Sequence, residues 1–500
     1  MEENITTKTS LTKNLNKLNW TSVVALNVDA NANIKTVLDT ESYLYDIKTE
    51  AGSGKAVVSG RLGVKVLYID TDNITNTLTD NQTWTETLTD SSITADAIIN
   101  ANSYSISNTI LEGSGSLKIS CDIRINPIMN MNVALASSTG NYDNLIVKKT
   151  EISTCAVDSV VDSAFDYSVN FETKEQVGKI LMSNSSFSPT SVEAEQGKIV
   201  VEGKLFSTLV YETAGEESEI KEITDTFALK TAVEATVDEE DVLDLLFNID
   251  KSKENISTET DNDGVTITVA HNITMHGVSL KTVTVDVVDD MYSVENEVEL
   301  NKTKRDYCQN AVCTRLDENV SGDVEIADDE TAIDKIVTNL NVCPEITNTY
   351  IKDGNLTVEG IISSCVVYVD ENREYKQKQT ELPFIINTKI KCESLDYVRA
   401  DISLVDCRTK CKRGTIIELD YSVKLCVCYR EFASRELLNN FTLGKPIDFG
   451  GYDYQIYIAK PSETMWDLCK RTKVTPEELS QLNNNLPPVM EGGEKILIKR

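Results

Sequence analysis

Histidine is nearly absent from this 500-residue chain: His271 and His276 are the only two. They lie five apart in a strand-like stretch, so they point to opposite faces and cannot act together. With no Ser or Cys nucleophile motif beside them, triad-type catalysis and His-rich metal sites are excluded. Basic charge is also short. Against 80 Asp and Glu stand 48 Lys and Arg, a formal net charge of −32. A broad nucleic-acid or anionic-lipid surface needs clustered Lys and Arg and is not expected. No apolar run approaches the ~20 residues of a membrane helix, and the opening MEENITTKTS has no basic-then-apolar leader. The chain is therefore read as soluble and cytosolic at synthesis, without membrane insertion. Gly113-x-Gly115 runs into an alternating strand, not a helix, so it is no phosphate loop. No acidic pair sits in a turn that suggests a two-carboxylate glycosidase. The expectation is a non-enzyme with no cofactor.

Twelve cysteines are present, ten of them from Cys308 onward. In a cytosolic chain most are expected as free thiols. Cys407, Cys411, Cys426 and Cys428 could be read as four zinc ligands, but one- and three-residue gaps fit poorly, and Cys365, Cys426 and Cys428 sit in strand-like runs as small hydrophobes. No metal site is expected.

What is abundant is β-branched sequence in short bursts, at 40% hydrophobic and 26% charged residues overall. The chain is too long for one core and calls for three or four domains. Three segments align without gaps: KAVVSGRLGVKVLYID from Lys55, KIVVEGKLFSTLVYET from Lys198 and NLTVEGIISSCVVYVD from Asn355. Each places a Gly (Gly60, Gly203, Gly360) at a fixed distance before a Tyr (Tyr68, Tyr211, Tyr368). Val58, Leu62, Val64, Val66 and Tyr68 share one face. So do Val201, Leu205, Leu209 and Tyr211, and so do Val358, Ile362, Val366 and Tyr368. Each segment reads as a long strand with one buried face, its Gly marking a bulge or a close backbone approach. Trp84, Phe227 and Phe384 follow the three glycines at one offset, and Ile34-Lys35, Lys179-Ile180 and Lys335-Ile336 precede them.

The organisation expected is mostly β. An N-terminal segment (1–22) precedes three tandem repeated β-rich domains (23–142, 143–310, 325–432), a linker (433–451) and a small β-α-α-β module (452–500). Leu11, Leu15 and Leu18 suggest a brief amphipathic helix, packed on the first domain or offered to a partner. The acidic run from Val237 could start a helix or form a loop. Leu300–Asp329 reads as a break between domains, and the Gly- and Pro-bearing Arg435–Gly451 as a linker.

The terminal stretch is the most specific. Tyr454, Ile456 and Ile458 alternate with polar or exposed positions as a strand; Met465, Leu468, Cys469 and Thr472 mark one helix face; Thr475-Pro476-Glu477-Glu478 is a strong helix start. Pro487-Pro488 and Gly492-Gly493 lead to a second strand with Ile496 and Ile498. This order resembles a LysM module. Tyr454, Ile456, Thr464, Met465, Trp466, Leu468, Val474, Leu479, Leu482, Asn483, Gly493 and Ile496 fit that family's pattern. Ser462-Glu463 stands where the family has Gly-Asp, in a loop that with the one after the second helix forms its groove for N-acetylglucosamine glycans. A Cβ restricts the backbone there and argues against sugar binding.

Three V-[SE]-G-x-[LI]…Y repeats followed by such a module resemble the SipL-like spore-coat morphogenetic proteins, whose repeats are SPOCS-type domains. The resemblance implies a scaffold of the mother-cell cytoplasm, at the forespore outer surface and in the spore coat. Its implied partners are stage IV sporulation protein A, the ATPase of the coat basement layer, and other coat proteins, with the LysM module making contact. The alternative is a peptidoglycan-binding envelope protein; self-association of the β domains stays open. Candidate contact residues are Lys460, Ser462, Glu463, Thr464, Met465, Trp466 and Lys470. Trp466 either caps the module's own core or offers an exposed aromatic to a partner.

Overall fold

The structure is a computed structural model. It describes residues 2–4, 7–14, 20–29, 33–91, 93, 95, 98–112, 116–135, 144–215, 218–261, 264–326, 331–451, 453–484 and 486–499. The protein is mostly β, and every strand pairing is antiparallel. Hairpin-linked antiparallel strands need only short turns, which the Gly- and Asn-bearing connections supply.

The first group of strands is β1 (Glu2–Asn4), β2 (Thr7–Asn14), β3 (Trp20–Asp29), β4 (Ile34–Gly52), β5 (Lys55–Asp70), β6 (Thr75–Thr89), β7 (Ile98–Glu112) and β8 (Ser116–Leu135). The second is β9 (Leu145–Thr173), β10 (Val177–Glu195), β11 (Lys198–Thr213), β12 (Ile220–Glu234), β13 (Val242–Ile249), β14 (Asn255–Thr260) and β15 (Val265–Ser293). The third is β16 (Asn296–Glu325), β17 (Ile333–Lys352), β18 (Asn355–Asp370), β19 (Tyr375–Lys389), β20 (Val398–Lys412) and β21 (Ile416–Pro446). At the end come β22 (Tyr454–Ile458), α1 (Met465–Thr472), α2 (Pro476–Leu482) and β23 (Lys495–Lys499).

The strands form three three-stranded sheets, β4-β5-β6, β10-β11-β12 and β17-β18-β19. Each packs on a four-stranded sheet built mainly from its flanking strands. The repeated Val, Leu and Tyr positions face inward: Val58, Leu62, Val66 and Tyr68 meet Leu117, Ile119 and Ile123. Val201, Leu205 and Leu209 meet Ile267, Val269 and Ile273. Val358, Ile362, Val366 and Tyr368 meet Leu419, Tyr421 and Val423.

The glycines answer both halves of the expectation. Opposite each, the neighbouring strand bulges: between Tyr45 and Lys48, Pro189 and Ser191, and Ile346 and Asn348. A Cβ on Gly60 would approach Trp84 at 3.3 Å, on Gly203 the Phe187 ring at 2.6 Å, and on Gly360 the Phe384 ring at 2.2 Å. Phe227 instead pairs with Leu205, so in the second sheet Phe187 covers the glycine.

The opposite faces of these strands are also used. Each three-stranded sheet has a one-residue bulge at Leu38, Leu181 or Val337. Those residues, with Leu67, Val210 and Val367, form one joint core where the three sheets meet. Buried charge secures the junction: Lys251 lies 3.2 Å from Glu41 and 3.3 Å from Glu254. Asn341 donates to Asp39 Oδ2 (2.7 Å) and to the Thr40 carbonyl (2.8 Å). Beside it is a cavity of about 720 Å³, with Tyr45, Phe187, Phe247 and Asn341 in its wall.

Four strands run on past the sheets. Beyond Leu280, β15 pairs with β9 alone, and beyond Tyr429, β21 pairs with β16 apart from the short β1. The two ribbons pack through Ile152, Val287, Met291, Leu437, Leu438 and Phe441 into a stalk about 40 Å long at strand rise.

Several expectations fall here. The break at 300–329 lies largely within β16, and 435–446 of the expected linker is the end of β21. Paired β-ribbon backbone tolerates the scattered polar residues that read as punctuation, and Gly444 falls at a register shift of the ribbon. Residues 7–14 of the expected N-terminal helix form β2 against β8, while Leu15 and Leu18 lie outside the described residues. The acidic run after Val237 is a loop leading into β13.

The cysteines are free thiols as expected, with one exception: Cys313 and Cys428, cross-strand partners of β16 and β21, form a disulfide. Among the described residues, the one group with metal-ligand proximity is Asp244 with these two sulfurs. Arg399 (2.6 Å) and Arg430 (2.7 Å) already occupy the Asp244 carboxylate. Burial pulls that carboxyl up, but the two guanidiniums outweigh it and hold its pKa at about 2.

Candidate partner-binding site

The last elements follow in the order β22, α1, α2, β23 and enclose a small core of Ala459, Leu468, Cys469, Leu479, Met490, Ile496 and Ile498. Both helices start with capping boxes. Thr464 accepts from the Asp467 amide and Asp467 from the Thr464 amide; Thr475 and Glu478 repeat the arrangement, with Pro476 in the first turn.

The candidate residues split into two groups. Lys460, Ser462, Glu463 and Thr464 belong to the loop entering α1, and Met465 is that helix's first residue. That loop is zipped to 488–490: Ser462 N donates to the Met490 carbonyl (2.9 Å), Met490 N to Glu463 (2.8 Å) and Met465 N to Pro488 (3.0 Å). Ser462 has φ 61°, a left-handed conformation that glycine favours and serine carries here. Glu463 is buried, pairs with Arg471 at 2.6 Å and accepts from Lys460 N at 2.8 Å. Arg471 in turn lies 4.2 Å over the Tyr457 ring. Lys460 and Ser462 are exposed; Thr464 and Met465 are half-buried.

Trp466 and Lys470, one helical turn apart, face the stalk. Trp466 Nε1 donates to Asp290 Oδ2 at 2.9 Å, and its ring meets Tyr292 edge-on at 5.2 Å. Lys470 Nζ lies 2.6 and 2.7 Å from the two Asp290 oxygens. Tyr292 donates to the Val474 carbonyl at 2.7 Å. Burial raises the Asp290 carboxyl, but Lys470 and the Trp466 N–H outweigh it and bring it below the usual value. Burial pushes the Tyr292 phenol and the Cys469 thiol up, the latter to about 11. Trp466 therefore neither caps the module's core alone nor stands free: it anchors the module to the tip of β15.

The face of β22 is reversed from the expectation. Register pairs Gln455 with Ile498 and Tyr457 with Ile496, and those isoleucines are fully buried. Tyr454, Ile456 and Ile458 consequently point outward and are 57%, 69% and 60% exposed. Cross-strand from them lie Lys499, Leu497 and Lys495. Residues 454–499 carry six acidic and six basic side chains, so this apolar, lysine-flanked face sits on a neutral module in a chain of −32. Asp290, Tyr292 and this face escaped the sequence reading. YQIYI is apolar on both faces, and only the phase of Ile496 and Ile498 shows which side is inside.

His271 is buried 3.6 Å from Glu254, and His276 lies 2.9 Å from Asp162 on the other face of β15. No helix among the described residues is long and apolar enough to cross a membrane. No family model, curated protein or solved structure matches the chain.

Proposed function

We propose that the chain is a non-enzymatic scaffold of spore-coat assembly. In this reading it has three tandem SPOCS-type β domains and a LysM-type terminal module. The module bridges stage IV sporulation protein A, at the outer surface of the forespore in the mother cell, to other coat proteins. One observation carries it: the outward stripe of Tyr454, Ile456 and Ile458 between Lys495 and Lys499. A contiguous exposed apolar face marks a contact surface, whereas scattered single residues do not. Trp466 and Lys470 hold the module at the stalk tip, so the stripe is presented in a fixed orientation.

The second reading is binding of N-acetylglucosamine glycans of peptidoglycan. The left-handed Ser462 favours it, because the loop keeps a glycine-like path. Full-length wild type, Ile456→Asp/Ile458→Asp and Ser462→Val separate the two, each offered purified stage IV sporulation protein A and peptidoglycan sacculi. The scaffold reading requires retention by the ATPase that the double Asp variant loses. Retention on sacculi alone, lost in Ser462→Val, moves the assignment to the glycan reading.

A further inference from the structure

We propose that a small, partly open cavity between the second and third three-stranded sheets binds a monovalent alkali cation. The cavity measures about 170 Å³, and Thr208, Glu222 and Thr224 line it from one sheet. Thr338 and Asn339 of β17 and Thr409 of β20 line it from the other side.

Glu222 is the only charged group in this lining. Its carboxylate accepts from Thr224 Oγ1 (2.7 Å) and from Asn339 N (3.3 Å), and among the described residues no Lys, Arg or His forms an ion pair with it. Burial raises its pKa, with no neighbouring charge among the causes. Glu222 keeps partial exposure, but a carboxylate largely withdrawn from water without a counter-charge is disfavoured. A proton or a cation at the carboxylate relieves it.

The other donors favour the cation. Asn339 Nδ2 donates to Thr409 Oγ1 (2.9 Å), Tyr421 Oη (3.2 Å) and Cys407 Sγ (3.5 Å). This turns Oδ1 the other way, where it has no donor. Thr338 is 2% exposed, and its Oγ1 faces the Glu222 carboxylate. A carboxylate, an amide oxygen and several hydroxyls, with the Cys407 thiol beside them, form an oxygen-rich set of the kind hard cations take. One formal negative charge matches one positive charge. A divalent ion would leave buried charge in excess, and Mg²⁺ would also demand a strict octahedron. At roughly 30 Å³ for each water, the space admits an ion with a few waters. Because its walls come from strands of two repeat units, a bound ion ties the second unit to the third.

The test is calorimetric unfolding of the full chain in LiCl, NaCl, KCl or CaCl₂, against N-methylglucamine chloride at equal ionic strength. The expected result is a saturable rise of the midpoint by about 2–4 °C in Na⁺ or K⁺, absent in Glu222→Gln. Thr338→Val, which keeps the shape and removes one oxygen, should need about tenfold more salt for the same rise; it also serves if Glu222→Gln fails to fold. Wild type that does not distinguish alkali chloride from the inert salt overturns the site. So does a response to Ca²⁺ alone, or an undiminished response in Glu222→Gln.

Discussion

Asp290→Ala should loosen the terminal module from the stalk without unfolding either. The substitution removes three contacts: 2.9 Å from Trp466 Nε1, and 2.6 and 2.7 Å from Lys470 Nζ. Charge-assisted hydrogen bonds contribute about 1.5–3 kcal/mol when shielded. Here Lys470 is 35% and Asp290 16% exposed, so solvent screening lowers the expectation to about 1–2 kcal/mol. That is roughly a tenfold shift in the docking equilibrium, with Tyr292 still holding the Val474 carbonyl. Acrylamide quenching of Trp466, in a Trp20→Phe/Trp84→Phe background, reads the change directly. A double-mutant cycle with Lys470→Ala should give a coupling of about 1 kcal/mol. The pH dependence has a definite sign. The Asp290 carboxyl is held below its usual value, so its contribution is present above about pH 4 and is lost as pH falls through the folded value; neutral pH leaves docking unchanged. Additive single effects with unaltered quenching would refute the assignment of Asp290 as the anchor.

Gly360→Ala places a Cβ 2.2 Å from both the Glu345 carbonyl and the Phe384 ring, whereas Gly60→Ala meets its nearest atom at 3.2 Å. Urea denaturation should show a loss of about 2–3 kcal/mol for the first and under about 1 for the second; equal losses would contradict the close-approach reading. Ser462→Gly relieves a left-handed non-glycine residue. It should stabilise the module by about 0.5–1 kcal/mol once the unfolded-state entropy of glycine is deducted, visible as slower hydrogen exchange in 465–472. Burial raises the Asp39 carboxyl from 3.8 to about 7. Its stabilisation is complete below the ordinary carboxylate range and is lost as pH rises through 7. Asp39→Asn should therefore gain on wild type by a further ~2–3 kcal/mol between pH 5 and pH 8 in urea midpoints.

Period-two alternation made the inward faces of β5, β11 and β18 legible, because burial on one side leaves a strong pattern. The opposite faces were not. Leu67, Val210 and Val367 pack on other units, and nothing local distinguishes that burial from exposure. The long ribbons were misread for a related reason. Residues 296–311 and 430–446 are largely polar because a two-stranded ribbon buries one side only partly, and residues 312–325 form an edge strand of a four-stranded sheet; sequence punctuation then mimics a linker. At the terminal module the Thr475 capping box is local and was read from the sequence, whereas the matching box at Thr464 was missed. The partners of Trp466 and Lys470 lie far back in the chain at Asp290 and Tyr292, beyond the reach of any short-range pattern.

The joint core also bears on where a partner can dock. Three copies of a strand with two apolar faces would each leave one face open if the sheets stood apart. Packing Leu38, Leu67, Leu181, Val210, Val337 and Val367 together closes those faces on one another. What apolar surface remains is uneven. Of the ten large hydrophobic residues exposed among the described ones, four (Tyr454, Ile456, Ile458 and Val489) belong to the terminal module, about a tenth of the chain. Single exposed hydrophobics elsewhere are ordinary; a group on one small module is not. The module is also neutral, while the body carries the acidic charge. Contact through it avoids pressing the most repulsive surface against a neighbour. A stripe this small gives modest affinity by itself. Repeated along an array of partners, many such contacts held at stalk tips add through effective concentration, which suits a scaffold better than a lone receptor.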